Sequence, residues 1–411
     1  MLRQEPVLFQ ITYIMLILCM LTIPFSSFLL LPAGIVLGVI SLVNFFKEKN
    51  NIVLKNRENR IFFTLFLLFF LVNFIGIFYS QNKHFAFSKI ESYIWFLVAP
   101  FLFLTLAPQK MTQKRIEILL YIFMFSMLLV ILVNYAISLK TFIETKQSYN
   151  LFYSYLSHFM HPSYQALYAC VALLFSFYFI IKQQHRIFFV SFSLLLIFYV
   201  FMLQSRAGII ALILLLIFAG LYWINRKKIR YLSSLIFVIT LFLAPVFIIK
   251  NIDIQFNRMN TLIKSLKQDM SKDIRILIWQ NAWEVAVENL PFGTGIGDIH
   301  DELNRVYEAN GFDILQKRNY NAHNQYLEVL VGNGILGLLS LLSLFLFSFI
   351  YGIKNRDILL PVFVATVSFF FLFESILERK AGGDFIALFL ALLFYASFCS
   401  FTFCPQYGQK T

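Results

Sequence analysis

Apolar runs of about 18 residues or more recur along the whole chain. That is the length an α-helix needs to cross about 30 Å of hydrocarbon. Composition points the same way. Of the 411 residues, 60% are hydrophobic and 13% charged, whereas a soluble chain carries about a quarter charged. The expected fold class is an all-α polytopic membrane protein.

The runs predict twelve spans, at 7–23, 27–46, 61–79, 92–107, 116–138, 163–181, 187–203, 207–224, 231–249, 325–352, 358–375 and 385–401. The first is followed at once by another and lacks a small-residue cleavage site, so it reads as a span rather than a removable signal peptide. Three regions follow: spans 1–9 over residues 1–249, a long loop over 250–324, and spans 10–12 with a tail over 325–411. With the N-terminus inside, the inner segments hold eighteen Lys and Arg and the short outer loops seven. Basic residues favour the cytoplasmic side, so both termini are expected inside and the long loop outside. The net charge of +13 therefore sets orientation and implies no nucleic acid partner. Cys19, Cys170, Cys399 and Cys404 are scattered, with neither zinc-site spacing nor a disulfide framework.

Polar residues that interrupt this apolar background are the candidates for chemistry. In "LQSRAGIIAL", Ser205 and Arg206 lie between two spans with almost no loop. An arginine there is costly unless paired, hydrated or bound to an anion. It is either a snorkelling side chain or a bidentate ligand for phosphate or pyrophosphate. In the long loop, residues 273–289 predict an amphipathic helix stopped by Pro291 and the glycines after it. Arg275, Trp279 and Trp283 recur every four residues and share a stripe. The helix either lies at the membrane surface or aims Arg275 at a lipid-linked phosphate. "GTGIG" follows a helix instead of a strand, which excludes a Rossmann phosphate loop.

The stretch "NAHNQYLEVLVGNGILGLL", residues 321–339, carries the densest signal. Asn321 is expected to cap a helix whose first turn holds His323, Asn324 and Gln325. That places His323 at the outer surface, where it can take a proton from a hydroxyl. Glu328 falls off that face and is a weak partner. Gly332, Gly334 and Gly337 are expected to let another helix or a lipid tail approach closely. Smaller polar points are His158 and His161 in an outer loop, and Glu374, Glu378 and Arg379 at an outer mouth. The two histidines lack acidic or thiol ligands nearby, so pocket lining or loop packing is expected instead of a metal.

In this order the stretches resemble the O-antigen ligase family of bacterial membrane glycosyltransferases, which includes the O-antigen polymerase relatives. The ligase pattern of His, then Asn, Ser or Gln, nine residues and Gly-x-x-Gly is met by His323, Asn324, Gly334 and Gly337. "SRAG" looks like the family's Ser-Arg motif at Ser205 and Arg206. The loop helix and its glycine turn carry over to Arg275, Trp279, Gly293, Gly295 and Gly297. "FYSQN", "HPSYQALY" and "FESILER" look like further segments of the family.

The resemblance implies transfer of a glycan from an undecaprenyl-pyrophosphate carrier, with no metal or other cofactor, in lipopolysaccharide or related polysaccharide biosynthesis at the inner membrane. His323, Arg206 and Arg275 would be catalytic. Ser205, Trp279, Asn324, His161 and Glu374 would contact substrate, and the five motif glycines would be structural. The acceptor would be the lipid A core, as in a ligase. A repeat-unit polymerase, a protein O-oligosaccharyltransferase and a transporter of lipid-linked sugars are the alternatives.

Overall fold

The computed structural model describes residues 6–26, 28–47, 55–106, 109–224 and 274–403. Among them the chain is helical, with no strand. The helices are α1 (Val7–Thr22), α2 (Leu30–Lys47), α3 (Arg57–Tyr79), α4 (Lys83–Ile90), α5 (Ile94–Thr105), α6 (Gln113–Thr145), α7 (Pro162–Ile181) and α8 (Arg186–Met202). They continue as α9 (Arg206–Ile224), α10 (Ile274–Glu288), α11 (Ile299–Ala309), α12 (Asp313–Lys317), α13 (Gln325–Lys354), α14 (Leu359–Phe371) and α15 (Lys380–Phe403).

Among the described residues, six stretches are long and apolar enough to cross a membrane: α3, α4 with α5, α6, α7, α13 and α15. Shorter apolar helices are α1, α2, α8, α9 and α14. The protein is a multi-pass membrane protein. Eleven of the expected spans fall on these helices, and the one at 231–249 lies outside the described residues. So does the first part of the long loop, 250–273. Helix α6 runs past its expected end at 138 to Thr145, where Lys146 turns into the left-handed region at φ 58°.

Helix starts follow from local capping chemistry. Asn56 accepts from the amides of Glu58 and Asn59 to open α3. His161 caps α7 with Pro162 at its first position, where the missing N–H costs nothing. Helix α15 is buried along most of its length and forms the axis of the bundle. Phe394 stacks flat on Phe62 of α3 at 3.6 Å, and Phe389 meets Phe123 of α6 edge-on at 4.8 Å. Leu68, Leu71 and Ile75 of α3 and Leu336 and Leu339 of α13 are exposed, as helix faces bathed in lipid require.

The loop segment 274–324 builds a second, smaller core. Ile278, Ala282 and Val285 of α10 pack with Ile299, Leu303 and Val306 of α11, Leu315 of α12, and Leu330 and Val331 of α13. The insertion therefore sits directly on the first half of α13.

Two of the α13 glycines are sites of close approach: a Cβ on Gly332 would meet the Ile299 side chain of the neighbouring helix α11 at 2.6 Å, and Gly334 meets the loop turn. Gly334 has φ 60° and ψ −153°, so the helix breaks there. In a continuous helix the Ile335 amide would donate to the Val331 carbonyl. Here Ile335 N–H donates to the Pro291 carbonyl at 3.0 Å instead. The Val331 and Gly332 carbonyls accept from the Thr294 and Gly295 amides at 2.8 and 2.9 Å. The "PFGTG" turn thus takes over the hydrogen bonds that the kink releases. A Cβ on Gly334 would lie 2.0 Å from the Pro291 oxygen, and one on Gly293 would lie 2.5 Å from the Gly334 nitrogen. Gly337 abuts only side chains of its own helix, Asn333 and Val329. Two loop glycines dock elsewhere: a Cβ on Gly295 would meet Ser80, and one on Gly297 would meet the Asn82 carbonyl.

Candidate active site

Three distant parts of the chain meet at Glu374, just past the end of α14. Its Oε1 accepts from Arg275 Nη2 of α10 at 3.2 Å and from Ser163 Oγ of α7 at 3.0 Å. Its Oε2 lies 3.3 Å from His323 Nδ1. The Glu374 side chain is 11% exposed, against 24% for His323 and 21% for Arg275. The cluster is thus open at the imidazole and guanidinium and closed around the carboxylate. Burial alone would raise the Glu374 carboxyl. The hydrogen bond and charge of His323, then the charges of Arg275 and His161, hold it below the usual value.

His323 does not lie in the first helical turn. Asn324 is the cap, its Oδ1 accepting from the Tyr326 and Leu327 amides at 3.0 and 3.1 Å. Asn321 instead turns the chain locally, accepting from His323 N–H at 3.0 Å. One amide oxygen per residue decides this: Asn324 sits where two orphan N–H groups converge, and Asn321 does not. His323 is left in the loop with φ 42°. Trp279 Nε1 donates to its carbonyl at 3.4 Å, and Tyr320 packs against its ring at 5.5 Å.

The other expected residues fall on the same end of the bundle. His161 accepts from the Ser163 amide at 3.3 Å. Burial pushes the His161 imidazole down, Glu374 pulls it up, and Arg379 and His323 lower it further, so it feels the cluster electrostatically. Asn324 also donates to the Leu372 carbonyl at 3.3 Å, tying α13 to the end of α14. Ser205 is buried and its Oγ accepts from the Gly208 amide at 3.2 Å. A Cβ on Gly208 would lie 2.6 Å from that of Ala166, so the starts of α9 and α7 share one end. Arg206 is there, half-buried, in the first turn of α9. Trp283, though on the same stripe as Arg275, is 56% exposed.

Sequence reasoning missed a second cluster. Lys89 Nζ of α4 lies 3.1 Å from Glu328 Oε1, with both side chains at most 2% exposed. His300 Nε2 of α11 lies 2.7 Å from Glu378 Oε1, and Asn321 Nδ2 donates to Glu378 Oε2. Glu378 is held down at about 2: burial opposes this, while the Lys89 charge and the hydrogen bond and charge of His300 produce it. Burial lowers the His300 imidazole, but the bond to Glu378 and the Glu328 charge leave it raised overall. Ligand atoms of His300, Glu328 and Glu378 lie within 4.8 Å of one another, a spacing that could hold a cation. Lys89 already supplies that positive charge. Glu328 accepts from the amide of Ala322, the neighbour of His323. The clue in sequence was Lys89 itself, an ammonium at the edge of an apolar run.

"FYSQN" also finds its place. The Gln81 and Asn82 amides donate to the two oxygens of Asp298 at 2.6 and 2.7 Å, and Gly297 N–H donates to Ser80 Oγ at 3.0 Å. Together with the glycine turn, this fastens the insertion to α3 and α13.

Residues 191–342 match the family described as O-antigen ligase. Over that stretch the chain is similar to the O-antigen ligase family. No curated protein matches it. The O-antigen ligase match takes in Ser205, Arg206, Arg275, Trp279, His323, Asn324 and all five motif glycines, and stops before Glu374. It gives the chain a glycan-transfer role in O-antigen or polysaccharide assembly, as an enzyme of ligase or polymerase type. It also implies a lipid-linked glycan donor, an acceptor and a bilayer.

Proposed function

We propose that the protein transfers a glycan from an undecaprenyl-pyrophosphate carrier to the lipid A core at the periplasmic face of the inner membrane. The observation that carries this reading is the meeting of His323 and Arg275 on the two oxygens of Glu374. The excess of Lys and Arg in the expected inner loops supports cytoplasmic termini and a periplasmic insertion.

Glu374 accepts at Nδ1 of His323, which favours the tautomer with its proton there and leaves Nε2 to act as base. The acceptor hydroxyl attacks the anomeric carbon and passes its proton to Nε2. The bond from that carbon to the pyrophosphate oxygen breaks, and undecaprenyl pyrophosphate departs. Arg275 and Arg206 would neutralise the charge that grows on the leaving group. Pyrophosphate leaves readily, so positioning and charge stabilisation suffice, with neither metal nor nucleotide. Trp279, Asn324, His161 and Ser205 line or hold this end of the bundle. Glu374 acts mainly by orienting His323 and Arg275, since its oxygens are engaged by protein groups.

The test is the glycan profile of a strain lacking the gene. Long chains accumulating on undecaprenyl, with none on the lipid A core, support ligation. A core bearing a single repeat unit indicates a polymerase instead. Unchanged polysaccharide shifts the reading to protein acceptors or to transport.

A further inference from the structure

Both residues preceding His323 are tied to carboxylates of the second cluster. The Ala322 amide donates to Glu328 Oε2 at 3.1 Å, and Asn321 Nδ2 donates to Glu378 Oε2. Asn321 then turns its own oxygen to the His323 amide at 3.0 Å. Ser375, the neighbour of Glu374, also donates to Glu328 Oε2, at 3.2 Å. Glu328 thus grips a residue beside each member of the His323–Glu374 pair. Lys89 and His300 hold the two carboxylates from behind.

His323 needs such a grip. Its φ of 42° lies in the left-handed region, which a residue with a Cβ keeps only when its surroundings impose it. Relaxing that backbone would swing the ring away from Glu374. Glu328 cannot itself meet a substrate, with its side chain 1% exposed.

We propose that Glu328 and Glu378 are positioning residues that clamp the Asn321–Ala322 segment and so fix the His323 ring on Glu374. This rests on the reading of His323 as the base. The clamp acts through hydrogen bonds, so an acceptor of the same shape can replace the charge. Misplacement of a base by about an ångström costs on the order of 100-fold in rate.

The experiment is steady-state glycan transfer by the full-length protein in detergent, with an undecaprenyl-pyrophosphate-linked donor, for Glu378→Ala, Glu378→Gln and His323→Ala. The expected result is a fall in kcat for Glu378→Ala on the order of 100-fold, at unchanged donor KM and with the unfolding transition retained. Glu378→Gln, which keeps an acceptor for Asn321, restores most of kcat. If Glu378→Ala fails to fold, Asn321→Ala breaks the same bond from its other side and is read by the same criterion. A wild-type kcat in a folded clamp variant, a loss confined to KM, or a glutamine variant as slow as alanine overturns the proposal. His323→Ala separates the two claims. If it is inactive while the clamp variants are normal, only the clamp fails; if it is fully active, the base assignment itself fails.

Discussion

Two carboxylate clusters lie within a few residues of each other, and they are built to opposite designs. Around Glu374 the partners are 21–24% exposed, and they come from α10 and from the loop before α13. Around Glu328 the lysine and the carboxylate are sealed at 2% and 1% exposure. A buried ion pair adds little net stability, but breaking one is costly. Exposed, partly hydrated charges can exchange partners, as a site that binds and releases an anion must. The Lys89–Glu328 pair therefore reads as framework, and under the proposed function the open cluster is where substrate would arrive.

The sharpest way to break this comparison is to remove one sealed charge. Lys89→Met leaves Glu328 buried and unpaired and is expected to destabilise the protein by about 3–5 kcal/mol, read from chemical unfolding in detergent. A shift below that of an exposed pair would show that Glu328 is not sealed. Gly334→Ala comes next. It combines φ 60° with a Cβ 2.0 Å from the Pro291 oxygen, for an expected loss of roughly 1–3 kcal/mol. Proteolytic nicking near the loop turn should accompany it if the turn undocks. On the open side, Trp279→Phe removes the indole N–H from the His323 carbonyl. That hydrogen bond is worth about 0.5–1.5 kcal/mol of stability, read as a small shift in unfolding, and a lower transfer rate should accompany it. Arg305 pairs with Glu302 and Glu288 at 51% exposure, and Arg305→Ala should cost less than about 1 kcal/mol.

Acid and base titrations sharpen the same contrast. Glu378, held down to about 2 by Lys89 and His300 against burial, contributes stability above the ordinary value of 4.5. That contribution is lost as pH falls from there towards 2. His300, raised despite burial by its bond to Glu378 and the Glu328 charge, contributes below its ordinary 6.5. Its share is lost as pH rises through the raised value. Glu378→Gln should therefore flatten the acid side of an unfolding-temperature profile. It should not abolish that slope, because Glu374 is also held below its usual value. An unchanged acid slope would mean that Glu378 is not held by its neighbours.

Much of this was legible in sequence because it is local. Span length is a one-dimensional quantity, and eleven runs appear as apolar helices. The helix ending before Pro291 was equally readable, since proline and glycine stop helices by their own geometry. His323 stood out as an imidazole at the edge of an apolar run. What stayed hidden depends on distant partners. Lys89 and Glu328 are 239 positions apart, and the carboxylate nearest in sequence, Glu91, pairs with Lys380 instead. Glycine spacing in α13 suggested close approach, but only the fold shows that Gly334 meets the "PFGTG" turn and Gly332 the Ile299 side chain of α11. Two asparagines three residues apart, Asn321 and Asn324, compete for one cap, and their order was decided by which one met two free amides.

The most direct measurement is glycan transfer from undecaprenyl-pyrophosphate-linked donor by purified His323→Ala, in detergent and without any membrane gradient. The account predicts a folded protein whose rate falls by roughly 10²–10⁴-fold, the contribution of a positioned general base. Transfer at the wild-type rate by a correctly folded variant would contradict it.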